Sequence, residues 1–167
     1  MRARPSGGAR DRTRGRRGVR RRGPRRSRLK VRIVCDTNVL VSALIADGPP
    51  NRLLEEAIDG RIDLLLPELV LTELERVLTE KLGFDAPRAG EAIDLLSSLA
   101  ADLLAAPASV ERVTGDPSDD SILACAAAAG ADVLATGDRK HLLPVGEHRS
   151  VRLLTPQAVL AELRSVR

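Results

Sequence analysis

The sequence predicts an α/β protein in which a parallel sheet lies between layers of helices, a three-layer α/β/α sandwich. Two observations carry that expectation. Short apolar runs of strand length alternate with longer segments whose apolar residues recur at helical spacing, the pattern of strands joined by crossover helices. The runs VRIVC (31–35) and DVLAT (132–136) hold few polar residues, as strands do when helices cover both faces.

Each element follows in order. Residues 31–35 read as a strand and 38–46 as a short helix. A second helix, 51–59, starts after Pro49-Pro50, because proline is tolerated at a helix start. Residues 63–66 form a strand closed by Pro67, which has no N–H for a ladder. A longer helix, 68–82, stops at Gly83. Residues 86–104 carry Ile93, Leu96, Leu99 and Leu103 at helical spacing. Residues 109–113 read as a third strand. A helix over 119–129 ends at Gly130, and strands follow at 132–136 and 151–154. Residues 156–164 close the chain as a helix. No internal repeat is present.

The 167 residues suffice for one domain. Trp and Tyr are absent and Phe84 is the sole aromatic, so the core rests on Leu, Val, Ile and Ala, and base-stacking aromatic platforms are excluded. The net charge of +4 conceals a division. Residues 1–28 hold 13 Arg against Asp11 alone, a net +12; the remainder holds 14 basic and 22 acidic residues, a net −8. The arm of residues 1–28 is Arg, Gly, Pro and Ser with almost nothing to bury, so it reads as a disordered basic tail, and 29–167 as the folded domain. An upstream extension without a selected role is the first reading of that tail, and a phosphate-gripping arm the second. Cys35 and Cys125 stand in apolar runs and read as small core residues of a reducing compartment. With His141 and His148 far from them, they make no zinc set. No apolar run is long enough to span a membrane, and the Arg-rich start lacks the apolar core of a secretion signal. The expected location is cytoplasmic.

In an open parallel sheet, sites form beyond the carboxyl ends of the strands. Asp36 follows VRIVC directly, and Asp138 follows DVLAT and Gly137. In DPSDDSILACA, Asp116 suits a helix cap with Pro117 at the first position, which sends Asp119 toward the same edge. Glu73 has Leu69, Val70 and Val77 as helical neighbours, so it is not on a freely solvated face. Taken singly, such acids are usually caps, turn residues or solvent-facing groups. Crowded at one edge they repel, their pKa values rise, and a divalent cation removes that penalty. All-oxygen ligation points to Mg²⁺ or Mn²⁺.

Four blocks, IVCDTNVLVSALI, LVLTELERVL, GDPSDDSILACA and VLATGDRKHLLP, occur in order from about Lys30 onward. Together they resemble the PIN-domain family, and most of all its VapC-like ribonuclease toxins of type II toxin–antitoxin systems. The resemblance implies a five-stranded parallel sheet, PIN-like and Rossmann-type. It also implies a metal-dependent endoribonuclease hydrolysing RNA phosphodiester bonds with Mg²⁺ or Mn²⁺. Position by position, it assigns Asp36, Glu73, Asp119 and Asp138 as catalytic metal-binding acids, with Asp116 as a further acid and Asn38 and Thr136 in support. The D-x-x-I spacing to Ile122 favours Asp119 over Asp120. His141 reads as a surface histidine, and Arg52, Arg139 and Lys140 as guides for the RNA backbone. A small antitoxin covering the site and a homodimer are the implied protein partners. The rival function is a catalytically inactive PIN-like RNA-binding or regulatory protein; the presence of all four acids argues against it. An aspartyl-nucleophile phosphatase would want a second acid two residues after Asp36, where Asn38 stands. A dinucleotide-binding protein would want a glycine-rich loop after the first strand, and none follows.

Overall fold

The computed structural model describes residues 30–166. The arginine-rich arm of 1–28 lies outside the described residues. Six strands alternate with six α-helices: β1 (Val31–Cys35), α1 (Thr37–Ile45), α2 (Pro49–Ile58), β2 (Ile62–Pro67), α3 (Glu68–Glu80), α4 (Ala86–Leu99), β3 (Asp102–Leu104), α5 (Pro117–Ala129), β4 (Val133–Ala135), β5 (Glu147–His148), β6 (Val151–Leu154) and α6 (Pro156–Ser165). The strands join in one sheet of order β3-β2-β1-β4-β6-β5. Every pairing is parallel except β5 with β6. Five strands are thus parallel, the number that the resemblance implies, with a short antiparallel sixth at one edge.

The chain steps outward from β1 to β2 to β3, then returns across the sheet to β4. Right-handed crossovers place α1 to α4 on one face for the outward steps and α5 on the other for the return. Helix α6 packs against α2 on the first face, and α5 packs on β2 and β4. Its run of alanines lets the helix backbone sit close to the sheet: Ala126 is fully buried beside Ile122, Leu123 and Cys125. The central strands carry the core. Ile33, Val34, Cys35, Leu66, Leu134 and Ala135 are wholly inaccessible, and each large one contributes about 1.5–3 kcal/mol relative to exposure. Phe84 lies at the margin, with the Arg88 guanidinium 4.0 Å from its ring centre.

Three regions differ from the sequence reading. The helix expected over 86–104 ends at Leu99, and residues 102–104 form β3. No glycine or proline marks the break. Ala100 turns extended, and the Ala101 N–H donates to the Leu64 carbonyl at 2.8 Å. Sheet pairing thus captures a segment whose leucines continued the helical spacing, and Leu103 is left 46% exposed. The strand expected over 109–113 is absent, and that segment is irregular. Its end is held by a side chain: the Asp120 carboxylate accepts from the Val113 and Thr114 N–H groups at 3.1 and 2.7 Å. The β5–β6 hairpin was not foreseen either. Its two turn residues, Arg149 and Ser150, have φ of 48° and 69°, a conformation that asparagine and glycine normally announce.

Candidate active site

The reversal of strand order falls between β1 and β4, so the carboxyl ends of these two strands open a crevice. Cys35 pairs with Ala135 in the parallel register, and the Asp36 N–H donates to the Ala135 carbonyl at 3.1 Å. That register sets Asp36 beside Thr136. Both are buried. The Thr136 hydroxyl donates to Asp36 Oδ2 and accepts the Asp138 N–H at 3.0 Å. One hydroxyl therefore ties the ends of two strands together. The other Asp36 oxygen caps α1, accepting from the Val39 N–H at 2.8 Å. Burial pushes the Asp36 pKa up and the Asp138 charge adds to this, against the hydrogen bonds from Thr136 and Val39.

Asp138 is oriented by its own turn. Its Oδ1 accepts from the Lys140 and His141 N–H groups at 2.8 and 3.0 Å. Those bonds, the one from His141 foremost, hold its pKa below the ordinary carboxylate value. Oδ2 is left facing the crevice, 3.3 Å from His141 Nδ1.

Helix α5 brings two more acids. Asp116 caps it, with Oδ1 accepting from the Ser118 and Asp119 N–H groups at 2.8 and 3.1 Å. Asp119, in the first turn, turns into the crevice with Oδ2 3.8 Å from His141 Nδ1. Its pKa is pushed up to about 6, first by desolvation and then by the charges of Asp116, Asp138 and Asp36. Asp120 points the other way. Only 3% exposed, it accepts the Thr114 hydroxyl as well as the two N–H groups of the 113–114 segment. Desolvation would raise its pKa, but the Thr114 and Val113 hydrogen bonds prevail and lower it.

Glu73 arrives from α3, half-buried. Its Oε2 accepts the Thr37 hydroxyl at 3.1 Å, and Oε1 lies 3.8 Å from Arg76. A single cleft of about 170 Å³ is lined by Asp36, Glu73, Asp116, Asp119 and Asp138, together with Thr37, Asn38, Ser118 and Ile122. Thr136 stands behind it, under Asp36. Among the described residues, Asp119, Asp138 and His141 also present ligand atoms within 4.8 Å of one another. His141 thus lies against two of the acids and not merely on the surface. Its signal was its place three residues after Asp138, where a turn returns the ring to the carboxylate. Thr37 went unnoticed because a hydroxyl beside an aspartate suggests only a cap. Arg139 and Lys140 are exposed, and neither lines the acid cleft.

A profile of the PIN domain matches residues 32–140, well over half of the chain. The chain belongs to the PIN-domain family. Solved structures with the same fold include VapBC2 from Rickettsia felis, bound to a DNA fragment from its promoter; it is 18% identical, with a TM-score of 0.54 over 74% of this chain and 97% of that one. PAE2754 from Pyrobaculum aerophilum is 20% identical, with a TM-score of 0.54 over 81% of this chain and 96% of that one. A search of curated proteins finds no match. Among the described residues, no helix is long and apolar enough to cross a membrane.

Proposed function

We propose that this PIN domain is a Mg²⁺- or Mn²⁺-dependent endoribonuclease that hydrolyses RNA phosphodiester bonds. The observation that carries the reading is the convergence of Asp36, Glu73, Asp119 and Asp138, from four separate elements, on one 170 Å³ cleft. Five carboxylates line it, counting Asp116; among the described residues the basic groups set against them are the His141 imidazole, beside Asp119 and Asp138, and Arg76, 3.8 Å from Glu73. Desolvation first, and then the charges of Asp116, Asp138 and Asp36, push the Asp119 pKa up. An oxygen-rich, anionic donor set of this kind suits a hard divalent cation.

Asp36, Glu73, Asp119 and Asp138 would hold the cation, with Asp116 available through its second oxygen. A bound divalent cation supplies positive charge to offset the phosphate and eases deprotonation of water. The chain's own groups fix the acids beforehand. Thr136 orients Asp36, the 140–141 N–H groups orient Asp138, and Thr37 steadies Glu73. Such orientation before substrate arrives spares reorganisation during the reaction. The same reading makes the protein a cytoplasmic toxin of a toxin–antitoxin pair, with a small antitoxin as partner and a homodimeric state; the likeness to VapBC2 supports the antitoxin partner.

The test is cleavage of RNA with added Mg²⁺ or Mn²⁺. Asp36→Asn and Asp138→Asn should each lower the rate about a hundredfold or more. Undiminished cleavage by either variant, or equal cleavage in chelator, would falsify the scheme.

A further inference from the structure

Beside the acid cleft lies a second hollow of about 270 Å³. Asn38 lines both. The turn after β4 divides them: Asp138 faces the acids, while Gly137 and Arg139 line the neighbour. The chemistry changes across that turn. Among the described residues, no carboxylate lines the second hollow, and its only charged lining group is the Arg139 guanidinium. Its apolar surfaces are Val39, Pro49, Pro50 and Pro156; its polar groups are Asn38, Ser42, Thr155 and Gln157. Among the described residues, the side chains of Asn38, Ser42, Arg139 and Gln157 have no hydrogen-bond or ion-pair partner.

A nucleobase has two apolar faces and an edge of donors and acceptors, and it hangs from a phosphate. Flat proline surfaces, unpartnered amides and a hydroxyl, and one free guanidinium match those three features. The opposite flank of the acid cleft is lined by Leu69, Thr72, Arg76, Ser118 and Ser121 beside Glu73. There Arg76 is engaged by Glu73 at 3.8 Å and Glu80 at 3.2 Å. Of the two arginines that line these flanking hollows, the one without an ion-pair partner among the described residues is therefore Arg139. A base in a duplex has its faces stacked and its edge paired, so only an unpaired base can enter.

We propose, building on the nuclease reading above, that the hollow beside Arg139 seats one unpaired base of a single-stranded RNA. Arg139 then contacts an adjoining phosphate while the strand crosses the acids. The hollow so confers a base preference at one position next to the cut.

The experiment is Mn²⁺-dependent cleavage of a randomised single-stranded RNA by the full chain, with the nucleotides around each cut read by sequencing. Ser42→Phe fills the hollow from an exposed position of α1, and Gln157→Ala removes an exposed amide. The wild type should favour one base or base pair of similar shape at a single flanking position. Both variants should flatten that preference about fivefold or more while still cutting. Should Ser42→Phe fail to fold, as a melt would show, Gln157→Ala carries the test. A wild type that cuts with no flanking preference, or variants that keep it, overturn the base subsite and leave the nuclease intact. A wild type that cuts nothing overturns both. Cleavage of duplex RNA with the same preference also overturns the subsite, and leaves a protein or peptide as the occupant.

Discussion

Adjacent acids at 119 and 120 show how one position of register separates function from structure. Asp119 faces other carboxylates, and its proton is held up to about pH 6. Asp120 faces three hydrogen-bond donors of the 113–114 segment. Neutralising the first relieves repulsion; truncating the second strands buried donors. In metal-free protein, Asp119→Asn should therefore raise the melting midpoint, at the expense of cleavage. Asp120→Ala should cost about 1–3 kcal/mol. A midpoint that falls for Asp119→Asn would remove the repulsion from the picture. Desolvation together with that repulsion sets a pH dependence. A carboxyl whose folded pKa is raised favours the native state when protonated, so its contribution is full below the unfolded value of 3.8 and is lost as pH rises through about 6. Asp36 acts in the same direction, whereas Asp138 and Asp120 act below that window. Metal-free stability should fall across that interval, as denaturant melts at several pH values will show. Most of the acids were legible in the sequence because strand ends and a helix start position them locally. The role of Thr136 as the tie between two strands was not, since it depends on the register of β1 with β4.

At the scale of elements, the strands buried on both faces were readable from their apolar runs, and the helices from caps and stops such as Asp116, Pro117 and Gly130. What escaped was decided by partners distant in sequence. β3 exists because Ala101 reaches the Leu64 carbonyl of β2, and nothing local ends α4 at Leu99. The irregular run to Val113 is apolar at intervals, yet its hydrogen bonds go to a helix side chain instead of a ladder. The β5–β6 turn uses Arg149 and Ser150 at positive φ, where a residue with a Cβ costs about 1–2 kcal/mol. Ser150→Gly should accordingly raise stability by up to about 1 kcal/mol. Unchanged or lower stability in chemical denaturation would mean that the turn is not strained.

Over the whole molecule, a core without Trp or Tyr is closed by aliphatic residues and by an alanine-rich helix lying close on the sheet. The folded domain is acidic, and five of its carboxylates are gathered where the strand order reverses. A cluster of that kind lowers stability unless a cation offsets it, so the candidate chemistry and the instability share one origin. The most direct probe of a shared cation is a titration of the full chain with Mn²⁺, followed by the loss of the free-ion electron paramagnetic resonance signal. Saturable binding should appear in the wild type and drop about tenfold or more in each of Asp36→Asn, Glu73→Gln, Asp119→Asn and Asp138→Asn. Binding that is absent, or that survives all four substitutions unchanged, would mean that the four acids do not hold an ion in common.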